Sequence, residues 1–96
     1  MTLEQLRASS RDQILAVAEK HGVTRVRVFG SFACGQARDD SDLDLLIERG
    51  SRRTPFFPGG LVAELEEILG RRVDVATERG LPARIRESVL REAVPL

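Results

Sequence analysis

The 96-residue chain predicts a small α/β (α+β) fold, a mixed β-sheet with helices packed on one face. Three observations carry that reading. Apolar runs of strand period, Val23–Phe29, Asp42–Glu48 and Arg71–Ala76, recur between stretches of helical period. Gly and Pro punctuate the joints between them. The length suits one modest core, and an apolar share of 42% is ordinary for a folded domain.

Thr2-Leu3-Glu4-Gln5 has the Thr-x-x-Gln form of a capping box, so a helix should begin at Thr2. Leu3, Leu6, Ile14, Val17 and Ala18 fall on one stripe, which extends that helix over residues 3–20. His21-Gly22 stops it, with the single histidine read as a helix-end cap rather than a catalytic base. Val23 to Phe29 alternates through Arg25 and Arg27, the pattern of a half-buried strand whose Val26 and Val28 face the core.

Gly30-Ser31 ends this strand, and Phe32-Ala33-Cys34 is expected to form a short helix before Gly35. After the polar turn 36–41, the second strand places Leu43, Leu45 and Ile47 on one face, and Asp42, Asp44 and Leu46 on the other. Residues 49–60, rich in Gly, Pro and Arg, read as a loop holding Phe56 and Phe57, beside Arg52 and Arg53, as a docking or stacking patch or a satellite of the core. A helix with Leu61, Val62, Leu65, Ile68 and Leu69 follows and closes at Gly70. The third strand carries Asp74 opposite to Val73 and Val75. Pro82 opens a last helix with Ile85, Val89, Leu90 and Val94.

Composition narrows the function. Fifteen acidic and fifteen basic residues cancel, which argues against a polybasic nucleic-acid binder. The single cysteine, Cys34, excludes an intrachain disulfide and a cysteine-rich metal site. With no leader and no membrane-length apolar run, a cytoplasmic protein is expected, with no membrane association.

The chemistry concentrates in Gly30-Ser31 and Asp42-Leu43-Asp44. Gly30 lets a backbone approach an anion and Ser31 adds a hydroxyl donor, which suits a phosphate. Asp42 and Asp44, two apart on a strand, lie about 6–7 Å apart along it and can converge on a metal pair. Hard oxygen ligands favour Mg²⁺ or Mn²⁺. Asp74 on the neighbouring strand can complete the metal site and take a proton from an attacking hydroxyl. A nucleoside triphosphate between turn and metals would undergo in-line displacement at phosphorus, with pyrophosphate leaving.

These residues carry a family resemblance. GSFACGQARDDSDLDLLIE resembles the signature of the minimal nucleotidyltransferases of the DNA polymerase β superfamily, in which Gly-Ser is followed after ten residues by Asp-x-Asp. LGRRVDVAT resembles that family's third-carboxylate strand, and IRESVLREAVPL its C-terminal helix, so the likeness spans residues 3–96. The resemblance implies a polymerase-β-type nucleotidyltransferase core over 1–96 as a single domain. It implies that Gly30 and Ser31 bind the nucleotide, and that Asp42, Asp44 and Asp74 are catalytic and bind Mg²⁺. Cys34 departs from the family pattern, which commonly has Arg there.

Minimal members resemble antitoxins whose partner is a HEPN-type RNase toxin. The likeness therefore implies an antitoxin that transfers AMP from ATP to a tyrosine hydroxyl of the toxin, within a hetero-oligomer and without direct nucleic-acid contact. Two other readings stand beside it: an antitoxin acting by occlusion alone, and nucleotidyl transfer to a small molecule such as an aminoglycoside. The chain has no second domain for an acceptor of its own, which weighs against the small molecule.

Overall fold

The computed structural model describes residues 1–51 and 57–96. The expected patch residues Arg52, Arg53 and Phe56 lie outside the described residues. Elements run α1 (Leu3–Lys20), β1 (Val23–Phe29), β2 (Leu43–Arg49), α2 (Gly59–Leu69), β3 (Val73–Ala76), α3 (Ala83–Glu92) and β4 (Val94–Pro95). The sheet order is β3-β2-β1-β4. β1 pairs antiparallel with β2 and β4, whereas β2 and β3 are parallel, with α2 as their crossover. The expected mixed sheet with helices is thus present.

Local chemistry accounts for most element ends. The Thr2 hydroxyl accepts the Gln5 N–H and the Gln5 side chain accepts the Thr2 N–H, so both halves of the capping box are made. α2 ends where Gly70 turns left-handed at φ 64°. His21 caps α1 and its Nε2 lies 2.9 Å from Glu64 Oε1, while Lys20 reaches the same carboxylate. This ties the end of α1 to α2.

Period-2 alternation in β2 divides the core. Leu43, Leu45 and Ile47 join Val26, Val28 and Val73 beneath α1 and α2, with Leu6, Ile14, Leu61 and Leu65 completing the layer. Leu46 points the other way and is buried against Leu81 and Val89.

Four expectations need correction. Helices do not all lie on one face: α3 packs on the opposite one, because Leu46, Phe29 and Ala76 make an apolar strip there that needs cover. Val94 is not in the last helix but pairs with Val28 in β4. It precedes Pro95, which disfavours helical backbone at the residue before it. Phe32–Cys34 is not a helix. Cys34 N–H bonds Gly30 C=O at 3.1 Å and Gln36 N–H bonds Ser31 C=O at 2.9 Å, giving a knot of turns between two positive-φ glycines, Gly30 and Gly35. Of the apolar helix positions, Ile68 and Ile85 face solvent, at 40% and 37% exposed.

Phe57 packs against the main core with the Arg49 guanidinium 4.3 Å from its ring centre, so it serves as a core satellite.

Leu46→Ala should cost about 2–4 kcal/mol, since the residue is fully buried and α3 has few other anchors. Urea unfolding measures the cost, and hydrogen exchange should show α3 losing protection before α1. Equal loss in both helices would contradict the separate packing of α3.

Candidate active site

Parallel pairing of β2 and β3 puts Asp44 directly beside Asp74, in the same register row. Neighbouring strands are about 4.8 Å apart, so the two carboxylates share one small region on the face opposite the main core. On the other side of Asp44 the row continues into Phe29, the last residue of β1. Gly30 follows at once. The Gly30 turn, Asp44 and Asp74 thus form a line across the sheet.

Gly30 is required there for two reasons. Its φ is 72°, a conformation that costs L side chains, and a Cβ at this position would run into the Asp44 carboxylate Oδ2. Asp42 stands just before β2 rather than in it. Its flanks are held from the start of β3: Arg71 Nη1 donates to Ser41 C=O at 2.9 Å, and Leu43 N–H donates to Arg72 C=O at 2.9 Å. The Arg71 guanidinium also lies 5.1 Å from the ring centre of the buried Phe32, next to Ser31. One residue therefore braces both ends of the segment between Ser31 and Asp42.

Asp42, Asp44 and Ser31 are half-buried and Asp74 is exposed, so the face is open at this end of the sheet. α3 covers Leu46 and Phe29, and its last residue, Glu92, reaches the Gly30 end of the Asp44 row.

The electrostatics follow from crowding. Partial burial, then the Asp74 and Asp42 charges, a hydrogen bond with Asp74, and the Glu92 charge push the Asp44 carboxyl up to about 6. Among the described residues no Lys, Arg or His forms an ion pair with Asp42, Asp44, Asp74 or Glu92. An all-carboxylate donor set without a counter-charge fits a hard divalent cation in its chemistry. No group of three or more His, Cys, Asp or Glu side chains among the described residues is already arranged to hold a metal ion.

Glu92 was not foreseen. Its Oε1 accepts the Gly30 N–H at 3.4 Å and its Oε2 accepts from the Cys34 thiol at 3.6 Å. Cys34, the position expected to be Arg, is exposed, and desolvation followed by the Glu92 charge raises its thiol pKa. No sequence signal singled it out: an acid in the last turn of a helix, like the exposed Glu19 of α1, reads as an ordinary surface residue. No helix among the described residues is long and apolar enough to cross a membrane.

Known proteins place the chain. A model of the nucleotidyltransferase domain matches residues 10–96. The protein adenylyltransferase MntA of Thermococcus cleftensis is 34% identical over 98% of this chain and 95% of its own length. A solved structure described as a minimal nucleotidyltransferase is 54% identical, with a TM-score of 0.82 over 100% of this chain and 97% of that one. A toxin–antitoxin structure with AMP-PNP shares the fold, with a TM-score of 0.75 at 17% identity over 90% of this chain and 71% of that one.

Because the Asp44 pKa is raised on folding, its stabilising contribution is complete below about pH 4 and is lost as pH rises through about 6. At pH 7–8 the ionised carboxylate therefore weakens the metal-free fold, by on the order of 1 kcal/mol after discounting for solvent screening of a half-exposed group. Asp44→Asn should raise the melting temperature by several degrees at pH 7.5 without metal, and by nothing below pH 4. Thermal unfolding across pH checks both. Gly30→Ala should cost more than about 1 kcal/mol at any pH, through its backbone and the Asp44 clash.

Proposed function

The chain belongs to the nucleotidyltransferase domain family, and we propose that it is a Mg²⁺-dependent protein adenylyltransferase that moves AMP from ATP to a tyrosine hydroxyl of a HEPN-type toxin, acting as its antitoxin. One observation carries the reading most: Asp44 and Asp74 stand in one row beside the Gly30 turn, with Asp42 close by and, among the described residues, no ion pair to any of the three. The names of the relatives support the enzyme class, and the toxin–antitoxin neighbour supports the kind of partner.

In this reading Gly30 and Ser31 receive the nucleotide phosphates, and Asp42 and Asp44, with Asp74 beside them, would hold Mg²⁺. Bound there, the cation supplies positive charge to the phosphates and the leaving pyrophosphate. Asp74, exposed at the end of the row, faces incoming acceptor and takes the tyrosyl proton. The tyrosyl oxygen forms a bond to the α-phosphorus as the bond from that phosphorus to the pyrophosphate oxygen breaks. Catalysis rests on positioning and charge, since no covalent intermediate with the protein is needed.

The single domain over 1–96 and a cytoplasmic setting belong to the same proposal. So does a protein rather than nucleic-acid acceptor, in keeping with a net charge of zero. Acceptor side chains then come from the partner in a hetero-oligomer.

Incubating the chain with its toxin, ATP and Mg²⁺ should add AMP to a toxin tyrosine, seen by intact-mass and fragment-mass measurement. Asp42→Asn with Asp44→Asn should lower adduct formation at least about 100-fold, the scale on which loss of transition-state charge stabilisation is felt, while complex formation persists. No adduct from the wild-type pair under conditions where the two bind would refute adenylyl transfer. Full toxin neutralisation by the double variant would point to occlusion instead, and an adduct on an aminoglycoside to a small-molecule acceptor.

A further inference from the structure

Glu92 has no role in the mechanism above, although it touches the turn assigned to the nucleotide. It is the last residue of α3, half-buried, and 62 residues away in sequence from the Gly30 amide that it accepts from. Its second oxygen takes the Cys34 thiol at the far side of the same turn. The carboxylate thus spans the two ends of Gly30–Cys34 and takes up the Gly30 N–H, the backbone donor of this turn that meets it. Among the described residues it has no cationic partner.

Its own helix gives it no reason to be there. The last turn of α3 presents unpaired carbonyls, which repel an acid and favour Arg91 rather than Glu92. The contact to nitrogen is long at 3.4 Å and the thiol at 3.6 Å is a weak donor, so a better anion can displace the carboxylate at little cost.

We infer that Glu92 is a specificity-determining residue of the nucleotide site: in the free protein its carboxylate occupies the anion seat at the Gly30 turn, and it disfavours a nucleoside triphosphate that arrives without a divalent cation. The inference rests on the nucleotidyltransferase reading. A bare triphosphate entering here meets Glu92 together with Asp42, Asp44 and Asp74, four carboxylates with no ion-pair partner among the described residues. A divalent cation held by the aspartates would screen this repulsion, letting the Glu92 carboxylate leave the turn on its flexible side chain. The site so favours the metal-loaded nucleotide over the free anion.

The test compares binding of AMP-PNP to the wild type, Glu92→Gln and Glu92→Ala by titration calorimetry, once in EDTA and once in saturating Mg²⁺. In EDTA both variants should bind about tenfold more tightly than the wild type, as removal of one like charge from an anion site allows. In Mg²⁺ the gain should shrink to about two- or threefold. The Gly30 amide resonance of the ¹⁵N-labelled protein should move in both variants and move again, in every form, when AMP-PNP is added. Equal or weaker binding by both variants in EDTA would overturn the inference, as would a Gly30 amide that ignores bound nucleotide. Wild-type binding in Mg²⁺ separates the two levels: its absence in all three proteins removes the nucleotide site itself, whereas its presence without the Glu92 effect removes only the selectivity. Thermal unfolding of each variant confirms that α3 remains docked.

Discussion

Like-charge crowding at Asp44 and Asp74 is the constraint that the rest of the structure accommodates. Two carboxylates in one row of a parallel pair repel, and partial burial together with that repulsion raises the Asp44 pKa. The sheet keeps them together because the opposite faces of the same residues' neighbours are committed. Leu43, Leu45 and Val73 are almost fully buried under α1 and α2. A one-residue slip would relieve the charge but turn that apolar row to solvent. Burial on one face thus holds an unfavourable arrangement on the other.

The loop from Ser31 to Asp42 shows the same economy. It has little regular structure, yet its ends are held by a single side chain, Arg71, through the Ser41 carbonyl and the Phe32 ring. Phe32 is itself buried in the main core, so the turn is anchored from within. Motif residues separated by ten others are placed by contacts neither of them makes. An arginine outside the motif therefore governs the relative position of its two halves.

α3 is the least constrained helix. It rests on a small apolar strip around Leu46, apart from the main core, and ends in the residue that reaches back to Gly30. This connects the helix that closes the fold to the turn that opens the site. At the other end of the same row Asp74 remains exposed.

The sequence alone determined the capping box at Thr2, the extent of α1, the facing of β2 and the stop at Gly70, and it marked Gly30, Ser31, Asp42, Asp44 and Asp74 as candidates. Each depends on local chemistry or on period, which neighbouring residues specify by themselves. The short β4, the side on which α3 packs, and Glu92 depended on contacts between residues far apart in the chain. Val94 had a helical neighbourhood until Pro95 and an open β1 edge made it a strand, and Leu46 alone among the β2 leucines needed a cover on the far face. Glu92 at a helix end reads as an ordinary surface acid, and only the packing of α3 brings it to Gly30. Local pattern decided which groups can do chemistry; the long-range pairing of strands and the docking of one helix decided which of them meet.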